Sequence, residues 1–196
     1  DALPAHLERA GRPWDAIRTI TSVTVVAAET DDAARARLDD YARHVDEDAA
    51  LALFAGWTGL DLAALSPDDV LEDVPIEGNR SALQSFTSMD PDRAWTVRDL
   101  AAFMAIGARG PVIVGSGETV ADELERWAAE AGVDGFNVDY ALRGVDLPAF
   151  AEHVSPVLRE RGHLREGDRP ASGTLRGRIL GTDTLRDDHP GAAFRR

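Results

Sequence analysis

Apolar positions recur along most of this chain at helical or strand spacing, and the clearest pattern runs from residue 110 to residue 140. A short apolar run at residues 112–114, between Pro111 and Gly115, predicts a strand that is buried on both faces. The next residues form an apolar stripe at helical spacing, made up of Val120, Leu124, Trp127 and Ala131. Gly132 ends this helix, and residues 133–138 predict a second strand. The stretch therefore predicts a βαβ unit.

The same pattern occurs earlier and later in the chain. Residues 20–26 are rich in β-branched side chains and predict a strand, and residues 29–32 predict a capped helix start. The stripe of that helix consists of Ala34, Leu38, Tyr41 and Val45. Further helices are predicted at residues 96–105, with Thr96 as the cap, and around residues 150–157, ending at Gly162. We therefore expect a parallel α/β protein with about three strand–helix units in residues 1–163.

Two segments break this rhythm. Residues 46–89 form an insertion with a short apolar helix, several turns and an irregular stretch. Long insertions in α/β enzymes are often lids or binding loops, so the insertion either covers a site or packs on the outside as a structural excursion. Residues 164–196 are rich in Arg, Gly and Asp and predict an extended tail that packs on a neighbouring segment or subunit.

Composition narrows the classes of function. The net charge of −14 repels phosphate backbones and argues against nucleic-acid binding. The chain has no cysteine, which excludes disulfides and thiolate metal sites, and no apolar run reaches the roughly 20 residues of a membrane span. No signal peptide is visible, so we expect a cytoplasmic location. The first residue is Asp1 rather than Met, and the chain opens within a helical pattern, so we expect a longer parent chain.

Candidate chemistry lies at the carboxyl ends of the predicted strands, where parallel α/β proteins place their sites. Ser116 and Thr119 stand at a helix start, which is either an anion site or a plain strand-to-helix turn. Asn137 interrupts an apolar strand, so its amide requires a partner, either a ligand or a neighbouring backbone group. The five histidines have no metal-ligand spacing, no metal site is predicted, and no nucleophile motif is present.

One segment resembles a known family. Residues 110–127 read GPVIVGSGETVADELERW, and residues 133–142 read VDGFNVDYAL. Together they resemble the luciferase-like flavin monooxygenases, in the branch of the nitrilotriacetate, dibenzothiophene-sulfone and long-chain alkane monooxygenases. The similarity extends upstream through TVVAAETDDAARARL and downstream to the ending DDHPGAAFRR, so it covers essentially the whole chain.

The resemblance implies a (β/α)8 TIM barrel of the bacterial-luciferase type, to which this chain contributes about the last three strand–helix units, the insertion and the tail. It also implies an FMN-dependent monooxygenase without a metal. Reduced FMN would come from a separate NAD(P)H-dependent flavin reductase, and a small organic substrate would be oxygenated by O2 through a flavin C4a-hydroperoxide. The main flavin phosphate site is expected before Asp1. A homo-oligomer, dimer or tetramer, is also expected.

Residue roles follow from the resemblance and from position. The predicted cofactor contacts are Asn137 and Ser116, the predicted substrate contacts are Phe54, Trp57, Phe86 and Tyr140, and no catalytic residue is assigned. We expect Asn137 to point to the barrel mouth and the insertion to cover the flavin. Two alternatives stay open: a non-catalytic remnant that acts as an interaction module, and an oxidoreductase of the same superfamily that uses the deazaflavin F420.

Overall fold

A computed structural model describes residues 2–13, 17–108, 110–164, 173–187 and 189–194. Its centre is a parallel three-stranded sheet of β1 (Ile20–Ala27), β2 (Val112–Gly115) and β3 (Gly135–Asp139). The strands lie in the order β2-β1-β3. Thr24 in β1 is level with Val112 on one side and with Asp139 on the other. The predicted α/β class with a parallel sheet is therefore confirmed.

The strand order differs from the order that successive units of a barrel would give. Successive units of a (β/α)8 barrel place consecutive strands side by side, so β2 would lie between β1 and β3. Instead, β1 is central, and β2 pairs with its carboxyl-terminal half. The three strands therefore do not lie side by side in chain order, and the part of a (β/α)8 barrel that this chain supplies stays a prediction. The long segment between β1 and β2 allows β2 to return on the outer side of β1, which a local sequence pattern does not reveal.

The helices agree more closely with the sequence pattern. They are α1 (Ala2–Arg9), α2 (Asp31–Ala42), α3 (Glu47–Thr58), α4 (Arg80–Gln84), α5 (Val97–Ala105), α6 (Gly117–Ala131), α7 (Arg143–Ala149), α8 (Ser155–Glu160) and α9 (Leu175–Leu180). Thr30, Thr96 and Ser116 cap α2, α5 and α6, because each side-chain oxygen accepts a backbone N–H of the first turn. None of the helices in the described part of the chain is long and apolar enough to span a membrane.

The tail was predicted to be extended, but part of it is helical. Thr174 caps α9 and Gly181 ends it in a left-handed conformation, and a 3-10 turn follows at Pro190–Phe194. This local capping chemistry stabilises a helical turn in a segment whose composition alone indicates a loop. The predicted tail also includes residues 165–172, 188 and 195–196, which lie outside the described residues.

A first core lies on one face of the sheet. Val23, Val25 and Ala27 of β1 pack against α6 and α8, and nearly all of their surface is buried. The predicted stripe of α6 is only partly correct: Val120 and Leu124 are buried, but Ala131 is exposed. β2 is likewise only half covered rather than buried on both faces, since its residues alternate between buried and intermediate exposure.

A second core joins the insertion to α5. Its buried members are Ala50, Phe54, Leu62, Leu71, Ala82, Leu83, Phe86, Trp95, Val97, Leu100 and Met104. The ring of Phe86 meets those of Phe54, Trp95 and Phe103 edge-on, at centroid distances of 6.2, 5.0 and 5.5 Å. The insertion is thus a helical unit that has its own core, and that core extends beyond residue 89 as far as Met104.

The helices that follow β3 are distorted where α6 meets them. A π-helical segment at Phe150–Val154 links α7 to α8, and Pro156 follows it with no backbone N–H to donate. The first residue of α6, Gly117, lies against this segment. A Cβ atom at Gly117 would stand 2.0 Å from the carbonyl oxygen of His153. Glycine at position 117 therefore allows the amino terminus of α6 to pack directly on the π segment.

Candidate active site

Helix α2 crosses the carboxyl ends of all three strands. At its start, Asp31 accepts the backbone N–H of Ser116, just after β2, at 2.7 Å. In its middle, Arg37 donates to the carbonyl oxygen of Ala27, the last residue of β1, at 2.5 Å. Near its end, the Tyr41 hydroxyl donates to Asp146, in the segment after β3, at 2.8 Å. These three contacts place α2 and the insertion that follows it at the sheet edge where α/β proteins bind ligands.

Asp146 organises the backbone immediately after β3. Its side chain is 1% exposed, and its carboxylate accepts the N–H groups of Ala141 and Leu142 at 2.9 and 2.7 Å in addition to the Tyr41 hydroxyl. Three donors compensate the cost of burying this charge. The carboxylate therefore fixes the course of the chain as it leaves β3 and connects it to α2.

A cavity of about 680 Å³ opens beside this network. Its walls come from the end of α2, the start of α3, the segment after α5 and the residues that follow β3: Asp40, Tyr41, His44, Val45, Asp46, Ala49, Ala50, Leu53, Met104, Ala105, Ile106, Gly107, Ala108, Tyr140, Ala141 and Leu142. The volume falls within the range of small-molecule sites, roughly 300–1,000 Å³. This cavity, which we call the carboxyl-end pocket, is our candidate active site.

The lining of the pocket favours a neutral organic ligand. Leu53, Met104 and Leu142 supply apolar surface, and the hydroxyl group of Tyr140 can orient a ligand. Asp46 contributes a carboxylate, Asp40 contributes a second one that is paired with Arg43, and no arginine is present among the described lining residues. Carboxylates repel an anionic group, so the described lining favours an uncharged substrate or an aromatic ring system.

One wall of the pocket has a constrained backbone. Gly107 has a φ of 88° and Ala108 a φ of 53°, and the second value is rare for a residue with a Cβ atom. A side chain at Gly107 would also clash with Val112, since an added Cβ would lie 2.8 Å from its Cγ2 atom. Backbone strain of this kind is typical of functional sites, where the surrounding structure holds it in place.

Ser116 at the start of α6 is bonded to a carboxylate of the chain itself. Its backbone N–H, which a bound phosphate would use, is donated to the carboxylate of Asp31. The hydrogen bonds from Ser116 and Thr119 lower the pKa of Asp31, so the carboxylate stays ionised at neutral pH. An anion that belongs to the chain itself therefore lies at this helix terminus, and contact of Ser116 with a cofactor stays a prediction.

Asn137 lies on β3, on the side of the sheet opposite to α6, but it does not line the pocket. It is exposed, and its amide donates to the hydroxyl of Ser22 on β1 at 3.3 Å. The expected partner therefore exists, but it is a neighbouring side chain. That Asn137 points to the mouth of a barrel and contacts a cofactor stays a prediction.

The four predicted substrate residues divide into two groups. Tyr140, directly after β3, lines the carboxyl-end pocket and is 43% exposed. Phe54 and Phe86 are 0% and 4% exposed in the core of the insertion, and Trp57 packs on the same core. The apolar insertion helices bury the rings of Phe54 and Phe86 against one another, so their role as substrate contacts stays a prediction.

Sequence reasoning missed the most informative residues of the site. Tyr41 appeared only as a member of an apolar stripe, and Asp146 was not considered. An acid in the first turn of a helix, a few residues after a strand, is the signal that could have identified Asp146. Within the described ranges no group of three or more His, Asp or Glu side chains could hold a metal ion.

Comparison with known proteins defines the class of protein to which the chain is similar. No family model matches the chain. However, dimethyl-sulfide, long-chain alkane, dibenzothiophene-sulfone and nitrilotriacetate monooxygenases are all similar to it. The resemblance to this luciferase-like, FMN-dependent branch is therefore confirmed.

One curated protein and two solved structures illustrate this similarity. The chain is 40% identical over 190 residues to the dimethyl-sulfide monooxygenase of Hyphomicrobium sulfonivorans, covering 96% of this chain and 39% of that protein. The crystal structure of DmoA from Hyphomicrobium sulfonivorans matches with a TM-score of 0.78 at 38% identity, over 97% of this chain and 40% of that one. A riboflavin lyase, solved with modified FMN and its substrate riboflavin, matches with a TM-score of 0.81 at 33% identity, over 100% and 42% of the two chains. The chain thus spans about two fifths of the length of these relatives.

The phenol of Tyr41 should ionise only in strong alkali. Its burial, and then its hydrogen bond to Asp146, raise its pKa to about 12. The folded state therefore favours the neutral phenol, and the resulting stability is complete below the ordinary tyrosine pKa of about 10 and is lost as the pH rises through about 12. We expect the stability difference between the wild type and Tyr41→Phe to be constant below about pH 10 and to shrink above it.

Urea unfolding at a series of pH values measures this difference. The chain has no lysine and no cysteine, and Tyr140 is its one other tyrosine. The tyrosinate absorbance lost on Tyr41→Phe therefore reports the ionisation of Tyr41 directly. A Tyr41 that ionises at the ordinary pKa of about 10 would contradict the buried hydrogen bond.

Proposed function

We propose that this chain is part of a flavin-dependent monooxygenase that transfers one oxygen atom from O2 to a small organic substrate. The observation that carries the proposal is the similarity over 190 residues, at 40% identity, to a dimethyl-sulfide monooxygenase. FMN would supply the activation of O2 when bound in its reduced form, and a separate NAD(P)H-dependent flavin reductase would reduce it. The carboxyl-end pocket supports this function because it lies at the sheet edge where such chemistry takes place.

The chain's own residues would bind the substrate and exclude water. Leu53 and Leu142 would contact its apolar surface, while the hydroxyl group of Tyr140 would orient it. The insertion forms the wall opposite Tyr140, so it would shield the reaction from solvent. The phosphate of FMN would bind outside the described lining, since that lining carries acidic rather than basic groups. In the assembled enzyme the polar sheet face with Asn137 would face the interior of a (β/α)8 barrel, in a homo-oligomer.

The charge of the pocket indicates the class of substrate. Asp40 and Asp46 would repel a polyanion such as nitrilotriacetate and tolerate a neutral molecule such as dimethyl sulfide, and these are the molecules named for two of the relatives. We therefore propose a small, neutral, largely apolar substrate, with organic sulfides as the first class to test.

The test combines binding with turnover, on the protein purified at its native length. Reduced FMN is titrated anaerobically, and O2 is then added with dimethyl sulfide, a long-chain alkane, dibenzothiophene sulfone or nitrilotriacetate. We expect a product that carries one additional oxygen atom from a neutral substrate, and hydrogen peroxide alone when substrate is omitted. The ratio of product to peroxide measures how well the pocket couples O2 use to oxygenation.

Three results would overturn the proposal in different ways. Binding of reduced F420 in preference to reduced FMN would identify a deazaflavin-dependent oxidoreductase. Absence of binding to either cofactor would favour a non-catalytic interaction module. Oxygenation of nitrilotriacetate alone would preserve the reaction type but refute the neutral substrate that the pocket charge indicates.

A further inference from the structure

Asp146 is a buried charge for which the proposed chemistry has no direct use. Its side chain is 1% exposed, so it does not open to a ligand, although the residues bonded to it line the carboxyl-end pocket. One carboxylate oxygen accepts the N–H groups of Ala141 and Leu142, and the other accepts the hydroxyl of Tyr41. A buried carboxylate is retained only where such partners compensate its desolvation.

The two sides of this network belong to different parts of the fold. Ala141 and Leu142 directly follow β3, whereas Tyr41 lies one residue before the end of α2, and 105 positions separate it from Asp146 in sequence. Beyond α2, the cap of α3 at Asp46 begins the insertion. The hydrogen bond therefore joins the wall of the pocket built on the sheet to the wall from which the insertion starts.

Two other long-range hydrogen bonds of α2 lie nearer to its start than Tyr41 does. Asp31 holds the first turn of α2 at Ser116, and Arg37 holds its middle at Ala27. After Tyr41 the chain is exposed from residue 42 to residue 49, which includes the pocket residues His44, Val45 and Asp46. Segments with few buried contacts open easily. The hydrogen bond from Tyr41 to Asp146 should therefore strongly affect how often the segment between α2 and α3 opens.

We propose that Tyr41 and Asp146 are a positioning pair that latches the insertion to the chain after β3 and so keeps the carboxyl-end pocket in its substrate-binding shape. Tyr41 acts from the insertion side, and Asp146 holds both Tyr41 and the backbone beneath Tyr140. This latch sets how often the pocket is closed. Its role in turnover rests on the proposed function, whereas its existence as a structural latch does not.

Substrate affinity should respond more strongly than the chemical step. Tyr41→Phe keeps the ring and removes only the hydroxyl, and loss of one hydrogen bond to a charged acceptor shifts an equilibrium by about 10-fold or more. If the closed pocket is the binding-competent form, the apparent affinity falls with its population. We expect KM for the substrate to rise about 10-fold, with kcat changed less than about 2-fold and with more peroxide released per product.

Hydrogen exchange tests the latch without any turnover. Tyr41→Phe should accelerate amide exchange at residues 42–50, while the amides of Ala141 and Leu142 stay protected because Asp146 still accepts them. Asp146→Ala should expose both groups of amides. Asp146→Asn is the conservative variant, since its amide oxygen can accept from the backbone while its NH2 group donates to Tyr41, and we expect it to restore much of the protection. Arg35→Gln is the matched control on the same helix, because it removes an exposed ion pair with Asp32 and leaves Tyr41 and Asp146 unchanged.

The outcomes separate the two proposals. Faster exchange at residues 42–50 in Tyr41→Phe supports the latch even if the protein oxygenates no substrate, in which case only the proposed function fails. If Tyr41→Phe lowers the melting temperature while exchange at residues 42–50 and KM match those of Arg35→Gln, the pair is merely structural and the latch is refuted. If Asp146→Ala does not fold, Asp146→Asn and Tyr41→Phe still decide the question.

Discussion

Replacing Phe54 with Ala is expected to lower the free energy of unfolding by about 3–5 kcal/mol. Phe54 is fully buried at the centre of the insertion core, where its ring meets Phe86 edge-on at a centroid distance of 6.2 Å. Its removal leaves a cavity, because the helices around it are held by other contacts and close the space only in part. Urea unfolding followed by tryptophan fluorescence measures the loss, since Trp95 belongs to the same core.

The adjacent residue provides the control. Leu53 is 42% exposed and lines the carboxyl-end pocket, so Leu53→Ala should cost less than about 1 kcal/mol of stability and should instead raise KM for an apolar substrate. The two variants thus separate a core residue from a pocket residue within one turn of α3. If Phe54→Ala is nearly neutral in stability but weakens substrate binding, the ring contacts substrate, as the sequence indicated.

Replacing Gly117 with Ala should be as severe, for a steric reason. An added Cβ atom would stand 2.0 Å from the carbonyl oxygen of His153 and 2.8 Å from its carbonyl carbon. Both are backbone atoms of the π segment, so they cannot rotate away as a side chain could. Alanine would otherwise favour the helix by up to about 1 kcal/mol, so a destabilisation of about 3 kcal/mol or more reports the clash itself.

Gly144 offers the same substitution in a helix without the clash. No atom lies within 4 Å of a Cβ built at Gly144, near the start of α7. Gly144→Ala should therefore leave stability unchanged or raise it by about 0.5–1 kcal/mol. Thermal and urea unfolding of the two variants side by side measure the difference. Equal effects would mean that α6 does not pack against the π segment as closely as described.

The carboxyl-end pocket lies between two cores, so its substrate specificity can change without loss of stability in the sheet. One wall belongs to the insertion core, through Ala50 and Met104, and the other belongs to the end of β3, through Tyr140. Because the two cores bury separate sets of side chains, substitutions in the insertion can reshape one wall without disturbing the sheet. We expect changes at Leu53 to alter the choice of substrate with little effect on the stability of the sheet core.

The sequence by itself determined the local elements and their limits. Strand β1, the helices α2, α5 and α6, and the ends at Gly132 and Gly162 were all predicted, because caps, left-handed glycines and apolar periodicity act within a few residues of one another. The resemblance to flavin-dependent monooxygenases was also present in the sequence. Tyr140 was predicted at the site because a residue that follows a strand lies at its carboxyl end whatever the neighbouring strands are.

Only the tertiary structure decided which elements and side chains meet. The position of β2 outside β1 depends on how the long intervening segment returns, and apolar periodicity does not encode which strand is the neighbour. Asp31 accepts the backbone N–H of Ser116, 85 positions away, at the start of α6, a contact that the local sequence does not reveal. The rings of Phe54 and Phe86 look alike in sequence whether they face a ligand or each other. Long-range contacts of this kind cost chain entropy that only the complete packing repays, and for that reason they become visible only in the folded molecule.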